Sequence, residues 1–159
     1  MAAEKLSFEQ FLEAGADYHD YIQDLHDYLL GNGCKATFEG KKTGLLGSYK
    51  HTKTKKSVIN LLLKKRGLLV RIYGENTGNY PDFLNTLPGE MVQSIGGSPE
   101  CKRLVHGTCS PKCTGYDVTI AGDRFQKCRY GCFEFLVTSE SWPYIKSFVE
   151  NELSARAAV

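Results

Sequence analysis

The sequence lacks any apolar run of about 20 residues, the length that a membrane-spanning helix requires. Its first ten residues, MAAEKLSFEQ, contain no apolar stretch of the kind found in secretory signal peptides. Between Gly74 and Pro99 the glycines do not have the order of a phosphate-binding loop. We therefore expect a soluble, cytoplasmic protein, and because no catalytic motif of known meaning is present, we do not expect an enzyme.

Acidic residues are missing from positions 41–74, where ten lysines and arginines occur. The flanking segments are acidic, since residues 1–40 contain eight acids and two bases, and residues 75–159 contain ten acids and eight bases. A segment without carboxylates creates a positive local potential that attracts a phosphate, a nucleic acid or an acidic small molecule. The alternative is that these bases pair with the acidic first segment.

Disulfides are not expected despite the six cysteines, because the cytoplasm keeps thiols reduced. The cysteines can instead be interpreted as metal ligands, as reactive thiols or as buried apolar residues. Five of the six cysteines lie between Cys101 and Cys132, and the sixth, Cys34, is expected to be a buried small apolar residue. The segment Cys101–Cys132 is therefore where the sequence predicts chemistry.

Two C-x3-C pairs lie in this segment, fourteen residues apart, with a predicted hairpin between them. Four thiolates placed on the two sides of a hairpin can bind a zinc ion tetrahedrally, with bonds of about 2.3 Å. In a regular strand, residues four apart are separated by about 13 Å, so the second pair shares an ion only if Gly131 breaks or bulges the strand. The predicted zinc ligands are Cys109, Cys113, Cys128 and Cys132, with Cys101 and His106 as spare candidates.

Thiol chemistry is an alternative interpretation of the same cysteines. Cys128 lies between Lys127 and Arg129, and cationic neighbours lower a thiol pKa and favour the thiolate. This pattern predicts a redox or electrophile sensor, or a cysteine-dependent enzyme, although His106 is the only nearby histidine that could act as a base. A third interpretation is that several of the cysteines are simply core residues.

Helical periodicity and a capping box at Ser7 and Gln10 predict one long amphipathic first helix that ends at Gly31. His19 and His26 are expected on its solvated face. Residues 35–74 then change to short runs of β-branched and aromatic residues, which predict an antiparallel meander. Its predicted strands are Ala36–Glu39, Leu45–His51, Ser57–Leu63 and Leu68–Tyr73.

The second half of the sequence predicts two short helices, a tight hairpin, a last strand and a C-terminal helix that ends in a frayed tail. The hairpin has Gly122 and Asp123 at its tip, and its second strand is expected to resume as Phe133–Val137. The short helices are Tyr80–Leu87 and Glu90–Ile95, and the frayed tail is Ser154–Val159.

This order of elements resembles the small bacterial domains of unknown function of the YdhG and YjbR type. The resemblance rests on the element order and on the run Ser57–Tyr73, covers the two ends of the chain, and does not include the segment Cys101–Cys132. It implies a fold and no function. We predict a single α+β domain over residues 1–159, in which N- and C-terminal helices pack on an antiparallel sheet that carries a cysteine-rich hairpin region.

The basic strands predict a binding face, because cations alternate there with aromatic residues. We expect a non-enzymatic binding module with a pocket for an anionic or aromatic small molecule. A nucleic-acid interface is the less favoured alternative, since the net charge is only +2. The residues predicted to bind the ligand are Tyr49, Lys50, Lys53, Arg71 and Tyr73.

Overall fold

A six-stranded antiparallel sheet organises the computed structural model, which describes residues 4–108 and 115–158. In these residues the order of the large sheet is β1-β2-β3-β4-β5-β8, and β6 and β7 form a separate hairpin. The strands are β1 (Glu4–Leu6), β2 (Cys34–Lys41), β3 (Gly44–His51), β4 (Lys56–Lys64), β5 (Gly67–Ile72), β6 (Tyr116–Ile120), β7 (Asp123–Lys127) and β8 (Glu134–Leu136).

Helices at both ends of the chain accompany this sheet, which confirms the predicted α+β class. Within the described ranges, no helix has the length and apolar character needed to span a membrane. The helices are α1 (Phe8–Ala14), α2 (His19–Gly31), α3 (Pro81–Leu84), α4 (Gly89–Gly96), α5 (Lys102–His106) and α6 (Trp142–Ala157).

The N-terminal helical region begins as predicted but divides in two. Ser7 Oγ accepts a hydrogen bond from the Gln10 amide and the Gln10 side chain accepts one from the Ser7 amide, so the capping box is confirmed. The single long helix is wrong, because α1 ends at Gly15 and α2 starts after a short 3-10 turn. A Cβ at Gly15 would lie 2.8 Å from Cδ1 of Ile22, so a residue without a side chain lets α1 and α2 approach closely.

The four central strands pair in the order in which they occur in the chain. Tyr49 on β3 lies opposite Ile59 on β4, which in turn lies opposite Ile72 on β5. All three are buried, and because cross-strand partners share a face, they mark the side of the sheet that contributes to the core. Helix residues complete this core, each contributing about 1.5–3 kcal/mol when fully buried: Phe11, Ile22, Leu25, Leu29, Ile145, Phe148 and Val149.

The opposite side of the same strands is only half-buried. Strand residues alternate between the two faces, so the neighbours of the core-facing residues belong to this second side. We call it the open face and define it by Leu46, Ser48, Asn60, Leu62 and Arg71, all of intermediate exposure. Antiparallel sheets often keep one face accessible in this way.

The last strand does not continue the cysteine-rich hairpin, which corrects the prediction for Phe133–Val137. Val70 on β5 pairs with Phe135 on β8, so this segment is an edge of the large sheet. Residues 73–133 therefore leave the sheet after β5 and return beside it at β8. The β6–β7 hairpin forms as predicted, but its tip is Ala121 and Gly122, whose φ angles of 51° and 87° suit a two-residue hairpin turn.

The predicted frayed tail is also wrong, because α6 continues to Ala157 and Arg156 is 1% exposed. Its guanidinium donates to the carbonyl oxygens of Lys56, Ser57 and Tyr73 at 3.0, 2.8 and 2.9 Å. Arg156 Nε also donates to Glu152 Oε2 at 2.7 Å. One buried side chain thus ties the last turn of α6 to the start of β4 and to the end of β5.

Glu152, the partner of this arginine, is fully buried and has all its hydrogen bonds within the protein. Its carboxylate accepts from the Asn76 amide at 3.0 Å, from Asn76 Nδ2 at 2.9 Å and from the Tyr80 hydroxyl at 2.5 Å. A buried charge is tolerated when it is paired and hydrogen-bonded in this manner. The pair therefore also secures the segment that follows β5.

We expect the substitution Arg156→Met to lower the free energy of unfolding by about 3–5 kcal/mol, because it leaves the buried Glu152 charge without its partner. Urea unfolding followed by circular dichroism measures the change. Arg66→Met, at an exposed residue, is the matched control and should shift stability by no more than about 0.5 kcal/mol. A loss below about 1 kcal/mol for Arg156→Met would contradict the role given to this pair.

His26 is buried in the core, which corrects its predicted place on a solvated face. Its ring stacks on Phe8 with centroids 3.6 Å apart, and its Nδ1 lies 2.8 Å from the Tyr49 hydroxyl. Burial lowers the pKa of His26, and the nearby Asp27 and Glu9 oppose this shift only in part. Because burial raises the pKa of Tyr49, its hydroxyl keeps its proton. The hydroxyl donates a hydrogen bond to Nδ1 of the neutral imidazole.

Stability should therefore fall as the pH drops below about 6.5, the ordinary pKa of histidine. In this range the unfolded chain binds a proton at residue 26 that the folded protein excludes, and protons then favour unfolding. His26→Gln should reduce the loss of unfolding free energy between pH 7.5 and 5.5, as measured by urea unfolding. His19→Gln, at an exposed histidine, serves as control. Equal pH dependence in His26→Gln and the unsubstituted protein would show that His26 is not the group responsible.

Candidate ligand-binding site and cysteine cluster

The second cysteine pair lies on a single turn of the chain, which we call the Cys128–Cys132 turn. Strand β7 ends at Lys127, and the amides of Gly131 and Cys132 then donate to the Cys128 carbonyl at 3.2 and 3.0 Å. The break in the strand that a shared metal ion requires is therefore present. A further bond, from the Cys128 amide to the Pro99 carbonyl at 2.8 Å, attaches this turn to the segment before α5.

Burial makes two of the described cysteines poor nucleophiles. Cys132 is fully buried and Cys34 nearly so, as predicted for Cys34. Desolvation raises the pKa of both thiols, to about 11 for Cys34. A raised pKa keeps the reactive thiolate scarce near neutral pH. Cys101 is buried as well, whereas Cys128 is half-buried.

A complete metal site is not found within residues 4–108 and 115–158, because no three His, Cys, Asp or Glu side chains are grouped there to hold an ion. The first predicted ligand pair, Cys109 and Cys113, lies outside these residues. Of the spare candidates, Cys101 packs so closely on Gly115 that a Cβ there would lie 2.3 Å from its Sγ. His106 is exposed at the end of α5. The zinc site therefore stays a prediction.

A cavity of about 290 Å³ opens on the open face and contains two of the predicted ligand-binding residues. We call it the open-face cavity. Its three cations, Lys41, Lys64 and Arg71, come from three different strands. A pair of tyrosines forms one wall. Its main lining residues are Lys41, Asn60, Lys64, Arg71, Tyr73 and Tyr130.

Arg71 is a half-buried cation of this cavity. Its Nη2 donates to Glu134 Oε1 at 3.0 Å, and both side chains are about one-fifth exposed. Burial alone would lower the pKa of Arg71, but interactions with Tyr73 and Glu134 raise it. Arg71 Nε is buried and has no hydrogen-bond acceptor among the described residues. This arginine is therefore charged and has an unused donor.

Two tyrosines form the aromatic wall. The Tyr73 hydroxyl accepts a hydrogen bond from Asn60 Nδ2 at 3.0 Å, and its ring is nearly buried. Tyr130 is 54% exposed and meets Tyr73 edge to face, with ring centroids 6.4 Å apart. The Arg129 guanidinium lies over the Tyr73 ring, 5.2 Å from its centroid, in a cation–π contact.

The structure brings together Arg71 and Tyr73 from the predicted set but separates the other three residues. Tyr49 does not line the open-face cavity, because it is fully buried on the core side of the sheet and its hydroxyl contacts His26. Lys50 and Lys53 are exposed and do not line the open-face cavity. A fully buried Tyr49 ring also offers no surface on which a nucleic-acid base could stack.

Four of the main lining residues were missed in the sequence: Lys41, Asn60, Lys64 and Tyr130. Asn60 lies opposite Arg71 in the β4–β5 register, so strand alternation could have predicted that the two residues share a face. Lys64 lies four residues beyond Asn60 on the same face of β4 by the same rule. Tyr130 reaches the cavity from the Cys128–Cys132 turn, and no local pattern indicates that contact.

The resemblance to the YdhG and YjbR type of domain stays a prediction, since it concerns the order of elements alone. The element order now includes β1 and α5, which were not expected from the sequence. Comparison of the chain with protein-family models, with curated proteins and with solved structures finds no match.

Proposed function

We propose that this protein is a binding module for a small organic anion with an apolar body, held in the open-face cavity. The observation that carries the proposal is the buried Nε atom of the half-buried Arg71, a donor that has no acceptor among the described residues. A buried donor without a partner is costly by about 1–3 kcal/mol, and a ligand acceptor removes that cost. An anionic oxygen is the best acceptor for a guanidinium.

Two lysines add positive charge around Arg71. Lys64 forms no ion pair with a carboxylate of the described residues, and Lys41 makes only an exposed contact of 3.3 Å with Glu39. Exposed pairs of this kind contribute little and are easily exchanged. A carboxylate or similar group entering the cavity thus meets a field in which positive charge exceeds negative charge.

Apolar surface next to these cations supports an amphiphilic ligand rather than an inorganic ion. Leu46, Leu62, Leu69 and Leu136 are successive cross-strand partners, so they form a row across four strands of the open face. Two of them, Leu46 and Leu62, line the cavity beside the aromatic Tyr130. The volume of about 290 Å³ is at the lower end for ligand pockets and suits a molecule of one or two rings.

Binding of 2-naphthoate, measured by isothermal titration calorimetry, tests this proposal. Arg71→Met should weaken binding about 10-fold or more, because a charge-assisted hydrogen bond contributes about 1.5–3 kcal/mol. Arg66→Met is the matched control and should bind as the unsubstituted protein does. The neutral 2-naphthamide should bind more weakly than the acid.

Equal affinity of Arg71→Met and Arg66→Met for 2-naphthoate would reject the open-face cavity as the site. An amide spectrum recorded for each variant confirms that the protein is folded, since Arg71→Met leaves Glu134 without its ion pair.

We also propose a structural zinc ion at the cysteine cluster, for which the Cys128–Cys132 turn is the favouring observation. A turn brings the two residues closer together than a strand would. Metal binding would deprotonate Cys132, whose pKa burial raises in the metal-free protein. The other predicted ligands are Cys109 and Cys113, outside the described residues.

Protein purified without chelator should contain about one zinc ion per chain, and its cluster thiols should be alkylated only after chelation. Cys128→Ser and Cys132→Ser should lose the metal, whereas Cys34→Ser, at a buried cysteine of β2, should keep it. Mass spectrometry under native conditions, with thiol counting, measures both quantities. Less than about a tenth of an equivalent of zinc would reject the site. Fast-reacting thiols in that protein would favour the sensor or cysteine-enzyme alternative.

A further inference from the structure

A second and larger cavity, of about 550 Å³, lies next to the same turn and contains none of the predicted ligand-binding residues. The Cys128–Cys132 turn contributes Arg129 to this cavity and Tyr130 to the open-face cavity. We call it the Tyr116 cavity. Its main polar lining residues are Lys56, Ser57, Glu75, Tyr116, Asp117 and Arg129.

Tyr116 contributes a buried hydroxyl whose proton has no acceptor among the described residues, since the nearby Gly74 amide can only donate to it. The residue is 6% exposed, and its ring packs against Phe133 with centroids 4.7 Å apart. Its hydroxyl makes no hydrogen bond of normal geometry with the described residues. Burial raises the pKa of Tyr116, and the Arg129 charge opposes this only in part, so the hydroxyl keeps its proton. When a cavity is lined by a buried donor that has no acceptor, a ligand with an acceptor atom is expected to bind there.

The carboxylates of this cavity are already bound by arginines. Asp117 accepts two hydrogen bonds from Arg124, at 2.9 and 2.6 Å, which hold the pKa of Asp117 below its usual value. Glu75 forms an ion pair with Arg129. The lining itself has two cations and two carboxylates, but Arg124, outside the lining, pairs with Asp117. The charge of Lys56, which forms no ion pair with the described carboxylates, is therefore left over.

The walls of the Tyr116 cavity are held by the buried arginine of α6. Arg156 binds the carbonyl oxygens of Lys56 and Ser57, which fixes the first residues of β4 where they line the cavity. It also binds the carbonyl oxygen of Tyr73, which precedes Gly74, another lining residue. A site built on such secured backbone needs little rearrangement when a ligand enters.

We propose that the Tyr116 cavity is a second binding site, for a small molecule with an anionic oxygen group, phosphate or carboxylate. Tyr116 donates a hydrogen bond to the anionic oxygen, and Lys56 supplies the compensating charge. The cavity is larger than a phosphate ion, so the rest of the ligand occupies the space beside Ser57 and Glu75. This site is independent of the function proposed for the open-face cavity.

The full-length, ¹⁵N-labelled protein is titrated with inorganic phosphate and, separately, with acetate, at constant ionic strength. We expect saturable shifts of the Ser57, Gly74 and Tyr116 amides with at least one ion. The ion that binds more tightly identifies the source of the anionic oxygen. Tyr116→Phe and Lys56→Met should each weaken binding about fivefold or more, because each removes a direct interaction with the anion. Tyr144→Phe, on α6 and outside both cavities, and Lys65→Met are the matched controls and should leave the affinity unchanged.

Three results of the binding experiment would overturn the proposal. The first is the absence of saturable shifts with either ion, and the second is equal affinity in Tyr116→Phe and the unsubstituted protein. The third is a set of shifts confined to Arg71 and its neighbours, which would assign the anion to the open-face cavity. The melting temperature without ligand gives a further check, since removing an unpartnered hydroxyl should not lower it. A clear decrease would show that Tyr116 has an internal partner, and would also contradict the proposal.

Discussion

The buried ion pair between Arg156 and Glu152 is the interaction on which the arrangement of the remaining elements depends. It joins the last helix to the backbone of two central strands and to the segment that leaves the sheet after them. Both charges are desolvated, so each is stable only while the other stays in place. The pair thereby couples helix docking to the positions of Lys56 and Asn76, which lie about a hundred residues and about eighty residues away in the sequence.

The cysteine-rich segment Cys101–Cys132 lies within a longer excursion of the chain from the sheet. The chain leaves after β5 and comes back as β8, and the turn just before β8 presents Arg129 and Tyr130 to two different cavities. Any ligand of Cys128 and Cys132 would hold the backbone between these two side chains. If the two cysteines bind a ligand, that ligand would therefore also influence the positions of Arg129 and Tyr130 in the two cavities.

Local patterns predicted the central strands and the capping box well, because each depends on residues near one another in the chain. The burial of His26 was missed because its partner Tyr49 is on another element. Strand alternation predicts which face of the sheet Tyr49 occupies, but it does not predict which residue Tyr49 contacts. Arg156 was assigned to a frayed tail for the same reason, since its acceptors are carbonyl oxygens that carry no sequence signal. In the open-face cavity, Arg71 and Tyr73 could be predicted from the composition of the basic strands. Tyr130 could not, because it reaches the cavity only through the path by which the chain returns to the sheet at β8.

The strand order has a consequence for the behaviour of the protein at high concentration. Within the described residues, the edge strands of the six-stranded sheet, β1 and β8, have three residues each, whereas the interior strands have six to nine. A short edge offers few unpaired backbone groups to another molecule, so it is a poor template for intermolecular pairing. The most aggregation-prone run, Val58–Leu63 on β4, lies in the middle of the sheet with a hydrogen-bonded neighbour on each side. The sheet order therefore protects this run for as long as the native pairing holds.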